Sequence, residues 1–324
     1  MTLERYIGQT LQNSPDAARI MAEITGLQAD SIEAGQKINP DLKLDVPVKR
    51  NSNNTEVELE FEQPLRPSDF GARQSHADAI RSTLSDEHKA RLLDLSHEAV
   101  RAYVDLWTTQ EQIALLDRLV KDAGRQTKIV QEAARQGLTD KAEAEILTTE
   151  AAEMKLQKSA LEAKQKALLA SFVRLAGLRY GDVKLEMPAL PVLPDTASRL
   201  LAQTEDKTAI RALLEGRLAV AERRLSVARE DAVLPEFAPR ALLRHDVTDG
   251  SNAALLGMRV TLPVWSRNEA ERLRANAAYE EADRALKALD ASDLPSVLAS
   301  AWQAAVNARS VAEKYRNTVV PGWL

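Results

Sequence analysis

The chain has 324 residues, a formal net charge of −5 and no cysteine. That length suits one to three domains, and the acidic balance leaves no electrostatic footprint for nucleic acid. Without cysteine, these residues offer no disulfide, thiolate metal site, thiol catalysis or lipidated cysteine.

Aromatics make up 4% of the chain against 28% charged residues, a bias toward long helices packed through small side chains. No run of about eighteen apolar residues occurs, so no transmembrane helix is expected. A spanning barrel stays open, because alternating strands leave a fainter trace. The opening stretch, "MTLERYIGQTLQNSPDAARIM", lacks the basic flank and apolar core of a signal peptide.

A helix leads into two short alternating segments. In "LKLDVPV", residues 42–48, Leu42, Leu44, Val46 and Val48 share one face, with Lys43 and Asp45 on the other. In "EVELEFE", residues 56–62, Val57, Leu59 and Phe61 oppose Glu56, Glu58, Glu60 and Glu62. The polar connector "RNSNNT" makes these a hairpin, a strand pair within 41–64. Pro64 should then end the ladder, since it has no N–H, and Ser68 is placed to cap a helix.

No proline lies between Pro67 and Pro188. Positions 92, 95, 99, 102, 106, 109, 113, 116, 120, 123, 127 and 130 are small, apolar or threonine at alternating steps of three and four. That spacing is a coiled-coil seam and predicts one helix over 68–136, roughly 100 Å long at 1.5 Å per residue. Gly137 stops it. A return helix over 141–177 carries Leu147, Met154, Leu161, Leu168 and Leu175 at heptad spacing, completing an antiparallel helical hairpin. Pro188, Pro191 and Pro194 stiffen a linker over 179–205.

The same order then recurs. A helix from about 206 to 232 precedes "FAPRALLR" and "ALLGMRVTL", a second strand pair within 236–263, where Leu256, Met258, Val260 and Leu262 form the apolar face. Pro263 and the capping pair Ser266 and Glu269 lead into a second long helix over 266–324. Pro40 answers to Pro235 and Pro64 to Pro263. The chain therefore divides into a first repeat, 1–178, the linker 179–205, and a second repeat, 206–324. Pro263 precedes Leu324 by fewer residues than Pro64 precedes Gly137, so the second repeat is expected to be truncated before its return arm. Pro295 should kink or break its long helix. In each repeat the strand runs on into the helix without reversing, the geometry of a β-barrel continued end-on by a barrel of helices.

These motifs resemble the TolC-like outer-membrane efflux proteins, the outer-membrane factors of tripartite pumps. "LPEF" before a strand pair and "VTLPVWSRNEAERLRANAAYEEA" look like the family's second repeat, and "EFEQPL" like its first. "RQGLTDKAEAEIL" is similar to the hairpin tip, "LLASFVRLAGL" to the end of the return arm, and "AWQAAVNARSVAEKYRNTVVP" to the distal second helix. The resemblance implies a mainly α fold with a small β part. Long antiparallel coiled-coil helices would form a periplasmic tunnel, and the strand pairs would join a shared transmembrane β-barrel.

It also implies a homotrimer that works with a periplasmic adaptor protein and an inner-membrane pump. The chain would be a passive outer-membrane duct for small molecules or metal ions. The family's gating carboxylates fall in the hairpin that is missing here, and these residues alone are expected not to close a conducting tunnel. The alternative is a soluble periplasmic coiled-coil scaffold or adaptor. Two strand pairs, each feeding a long helix, weigh against it.

Particular residues carry two readings each. The stripe Glu56, Glu58, Glu60 and Glu62 is either the wet face of a half-exposed hairpin or, with Lys43 and Asp45, a barrel lumen lining. Gln136, Gly137, Leu138 and Thr139 are either an ordinary turn or, as the resemblance implies, the adaptor-contacting tip; an exposed leucine there has no burial partner. Trp265 either anchors at a membrane interface or packs on the helix start. Trp107 and Trp302 read as seam residues. His76, His88, His97 and His245 have no second histidine at ligand spacing. No phosphate loop or nucleophile elbow occurs. Neither enzyme, cofactor nor metal site is expected.

Overall fold

The computed structural model describes residues 1–46, 56–179, 183–189, 192–199, 209–262 and 268–318. In chain order these form α1 (Leu3–Asn13), α2 (Pro15–Gly35), β1 (Asp41–Asp45), β2 (Glu56–Glu62), a 3-10 turn (Pro67–Phe70), α3 (Ala72–Arg135) and α4 (Lys141–Leu175). After them come α5 (Ala209–Val233), β3 (Glu236–Asp246), β4 (Asn252–Thr261), α6 (Glu269–Ala291) and α7 (Leu294–Thr318). The chain forms two compact units. One comprises Met1–Ala22 and Arg91–Val192, the other Glu23–Ala90 and Leu193–Leu324. No described helix is long and apolar enough to cross a membrane.

The first unit is built on the helical hairpin. Along α3, the seam residues Leu95, Ala99, Leu106, Thr109 and Thr127 are buried, and the other seam positions are half-buried. Thr109 and Thr127 tolerate this because their hydroxyls donate to the carbonyls of Asp105 and Ala123 at 2.8 Å. On α4, Leu147, Met154, Leu161 and Leu168 are half-buried and Leu175 is buried. Asp140 caps α4 by accepting from the Ala142 amide at 3.0 Å.

At the root of this hairpin the few aromatics converge. Tyr6 from α1 stacks on Phe172 from α4 with ring centroids 3.9 Å apart, and Tyr103 from α3 lies 5.9 Å from Tyr6. All three are fully buried. The Tyr6 hydroxyl donates to the Phe172 carbonyl at 3.0 Å, and burial pushes the Tyr6 hydroxyl pKa up. The Tyr103 hydroxyl lies within hydrogen-bond distance of the carbonyls of Met1 (2.6 Å) and Glu186 (2.8 Å), so buried rings keep satisfied polar tips. Gly177 ends α4 at φ +62, where a Cβ would sit 2.4 Å from the Asn13 carbonyl oxygen. Only glycine allows α1 and the end of α4 to approach so closely.

The second unit contains a single antiparallel sheet in the order β1-β2-β3-β4. The two strand pairs therefore meet, β2 against β3, with Leu59 opposite Leu243 and Glu58 opposite Arg244. Also in this unit, α5 and α6 pack on each other and share a small core of Leu225, Ala228 and Ala275 under Tyr279. Arg224 on α5 donates to Glu271 on α6 at 2.7 Å. Gly216 on α5 comes so near Thr83 on α3 that a Cβ there would meet the threonine methyl at 2.8 Å. The next residue, Arg217, clasps Glu87, one turn beyond Thr83, with two bonds at 2.5 and 2.8 Å.

One expectation needs correction. The first long helix starts at Ala72, not Ser68, because Pro67–Phe70 form a 3-10 turn closed by an Arg66–Asp69 capping box. The break expected at Pro295 is present, so the second long helix is two helices. Proline at 295 clashes with the carbonyl four residues back, and α6 ends there, at Ala291; Pro295 then sits in the first turn of α7, where a missing N–H costs nothing. Trp302 is half-buried, and its indole donates to the Pro194 carbonyl at 2.9 Å. The helix before the first strand pair is likewise divided, at Ser14, whose hydroxyl accepts from the Ala17 amide at 2.8 Å.

Candidate functional site

The sheet separates its chemistry by face, as period-two side chains require. On one face lie Leu42, Leu44, Val57, Leu59, Phe61, Phe237, Ala241, Leu243, Ala254, Leu256, Met258 and Val260. Most of its large members are exposed, and Leu256 is 90% exposed. A contiguous apolar face of this kind is foreign to a protein surface in water. His245 shares this face at its loop end, its Nδ1 2.8 Å from the Asn252 Oδ1.

The opposite face carries Asp41, Lys43 and Asp45 on β1 and Glu56, Glu58, Glu60 and Glu62 on β2. Lys43 stands opposite Glu60 and Asp45 opposite Glu58, so all four expected lining residues share one patch. Lys43 also pairs with Asp45 at 2.6 Å. Three arginines that sequence reasoning passed over complete the patch. Arg240 lies 3.5 Å from Glu60, Arg244 lies 3.1 Å from Glu56 and 2.8 Å from Glu58, and Arg259 lies 2.5 Å from Glu62. The alternate positions of Arg240 and Arg244 within "FAPRALLR" were the available signal; which glutamates they meet depends on register. Gly257 makes room for the Arg240 side chain, which a Cβ there would approach to 3.1 Å.

At the strand-to-helix junction, Pro64 is buried but does not end the ladder. Gln63 donates to the Pro239 carbonyl at 3.0 Å, and Leu65 exchanges bonds with Phe237 at 2.6 and 3.0 Å. Proline thus occupies a position whose N–H would point away from β3. Ser68, also buried, does not cap α3: its amide donates to Asp231 at 3.1 Å and its hydroxyl accepts from Arg73 at 2.8 Å. Arg73 in turn donates to Asp231 at 2.8 Å, fixing the exit of β2 to the end of α5. Pro263, Trp265 and Ser266 lie outside the described residues.

At the hairpin tip, Gly137 adopts φ +72. The Leu138 amide donates to the Ala133 carbonyl at 2.9 Å and the Gly137 amide to Ala134 at 3.2 Å, a Schellman stop. Such stops commonly bury the residue after the glycine, yet Leu138 is 76% exposed. Thr139 donates to Glu143 at 2.7 Å, and Gln136 to Glu132 at 3.1 Å. The tip is therefore rigid in backbone and presents one bare leucine.

Elsewhere in the second unit a cavity of about 780 Å³ opens among α2, α3, α5 and α6. Its arginines are paired, Arg73 with Asp231, Arg217 with Glu87 and Arg224 with Glu271. His76 beside them has its pKa lowered, first by burial and then by Arg224 and Arg73. Among the described residues no group of three or more His, Asp or Glu side chains could hold a metal ion.

A ribbon with one apolar and one charged face, running on into coiled-coil arms, defines the class: the fold is that of the TolC-like outer-membrane factors. Among solved structures the chain is similar to the Campylobacter jejuni CmeC outer membrane channel, at a TM-score of 0.72 and 17% identity over 97% of this chain and 72% of that one. It is similar also to the open state of the Neisseria gonorrhoeae MtrE outer membrane channel, at 0.69 and 15% over 97% and 76%. The outer membrane protein VceC of Vibrio cholerae matches at 0.66 and 18% over 89% and 75%. No protein-family model matches the sequence, and no curated protein does.

Proposed function

We propose that the chain is the outer-membrane channel component of a tripartite efflux system, a passive duct from the periplasm and an inner-membrane pump to the exterior. The observation that carries this reading is the exposed apolar face of the four-stranded sheet, backed by a face that gathers the charged residues, with Leu242 and Leu255 among them. Spanning barrels turn the first toward lipid and the second toward water. An open sheet has two unpaired edges, here β1 and β4, and hydrocarbon tolerates strands only in a closed barrel. Three copies supplying one shared barrel would close it, making a homotrimer in the outer membrane with its helices extending into the periplasm.

In this reading the two repeats, 1–178 and 206–324 joined by 179–205, each supply one strand pair and a helical arm, which in the second repeat is divided at Pro295. Lys43, Asp45, Glu58 and Glu60 line the lumen, and Pro64, Ser68, Pro263 and Ser266 mark where membrane meets periplasm. Gln136, Gly137, Leu138 and Thr139 meet a periplasmic adaptor protein, Leu138 finding there the burial it lacks. Small molecules or metal ions are the cargo, and the chain contributes no catalysis and no cofactor.

Mixing the chain with lipid vesicles and floating them tests the core of this. The duct reading expects the protein to float, to shield 236–262 from added protease, and to leave mild detergent as three copies. A protein that stays in the aqueous fraction, cleaved in both strand pairs, would instead be a soluble coiled-coil scaffold.

A further inference from the structure

Taken alone, Glu56, Glu58, Glu60 and Glu62 place four carboxylates along one strand face. The register alters that balance. The polar face is a series of rungs, and its four central ones run from the level of Ala238 and Arg259 to that of Arg244 and Glu58. They hold Asp41, Asp45, Glu58, Glu60 and Glu62 against Lys43, Arg240, Arg244 and Arg259, five carboxylates facing four cations. Each guanidinium reaches a glutamate on β2 within 3.5 Å. Further charge sits at the margins, Glu236 at the helix end and Glu56 with Asp246 at the loop end.

We propose that Arg240, Arg244 and Arg259 set the charge preference of this face, holding its central band near neutral so that it admits solutes of either sign. The proposal rests on the reading of the ribbon as a conduit wall. Without the three arginines, five carboxylates would face Lys43 alone. At spacings shorter than the Debye length of about 8 Å, such an imbalance is weakly screened. Position 257 belongs to the same device. Glycine there leaves the space over β4 that the Arg240 side chain occupies, so the guanidinium lies along the sheet rather than projecting into the passage.

The chain has no cysteine, so a single introduced thiol can sense the local potential. Ala253→Cys lies on the polar face directly opposite Arg244. Its reaction rates with a trimethylammonium-bearing and a sulfonate-bearing methanethiosulfonate, each normalised to a free thiol, give a cation-to-anion ratio. In the otherwise unaltered chain that ratio should lie within about threefold of one. In R240Q/R244Q/R259Q it should rise about tenfold toward the cationic reagent, and R240K/R244K/R259K should restore it. A ratio unmoved by glutamine, or a lysine variant that behaves like the glutamine one, overturns the proposal. Leu256→Cys on the opposite face separates the two claims. If it reacts in vesicles as fast as Ala253→Cys, the conduit reading fails. The ratio at Ala253→Cys, measured in detergent as well, decides the charge claim in either event.

Discussion

Phe172 and Leu256 are both large apolar residues, and the chain treats them oppositely. Phe172 is fully buried against Tyr6 and Tyr103, whereas Leu256 is 90% exposed on β4. The first unit buries its ring cluster and part of its heptad seam, while Ile129, Leu138 and Leu156 along its arms stay exposed. The sheet of the second unit holds its apolar side chains outward and its charges on the reverse. The difference sets a closed apolar cluster at the root of the hairpin against an open apolar face on the sheet. It also predicts that the two regions answer differently to the same class of substitution.

The largest effect should come from Phe172→Ala. Removing a buried ring that contacts two others costs about 3–5 kcal/mol, read as a lower midpoint in urea denaturation of the helical signal. Flotation with vesicles should persist wherever the chain remains folded. Next, Leu256→Arg should weaken membrane association by about 2–4 kcal/mol and leave the helical melting midpoint in detergent unchanged. A melting shift equal to that of Phe172→Ala would erase the contrast between the regions.

Gly177→Ala sharpens the account of the first unit. A Cβ at φ +62 that also meets the Asn13 carbonyl should destabilise by about 1–3 kcal/mol. The corresponding change at Gly137, also at positive φ but with open space around it, should cost less, and comparing the two midpoints isolates the steric part. The smallest effect concerns the arms of the hairpin. Lys121 and Lys158 hold the Asp117 carboxyl down to about 2, below the usual value near 4. A depressed carboxylate contributes stability above its unfolded pKa, and that contribution fades as pH falls from about 4 toward about 2. The carboxyl resonance of Asp117 should titrate near the lower value, and Lys158→Ala should move it upward. Because Asp117 is exposed, the melting point should barely change.

What the sequence revealed follows from which interactions are periodic. The α3 seam was legible because residues such as Leu95 and Leu106 repeat at 3.5-residue spacing along one face of one helix, and every seam position is buried or half-buried. The faces of the sheet were legible because alternation alone assigns Glu58 and Leu59 to opposite sides. The arginine row was not, since Arg259 meets Glu62 only through the pairing of β2 with β3 and of β3 with β4. Tyr6, Tyr103 and Phe172 are scattered along the chain and each alone is unremarkable; their meeting is a long-range event without local signature. At the junction, Ser68 obeyed the capping pattern, but Pro67 favoured a 3-10 turn first and Arg73 claimed the hydroxyl. Of the expected site residues, Lys43, Asp45, Glu58 and Glu60 come together on one face. Gln136, Gly137, Leu138 and Thr139 form one turn.

One scan tests the central claim most directly. Nitroxide labels placed singly along β4, from 252 to 261, in the chain bound to lipid vesicles would report accessibility to oxygen, which concentrates in hydrocarbon, and to a water-soluble nickel chelate. The account predicts alternation of period two and opposite phase: oxygen favoured at 254, 256, 258 and 260, nickel at 253, 255, 257 and 259. Accessibility that rises and falls together, or nickel reaching Leu256 and Met258 as readily as their neighbours, would contradict it.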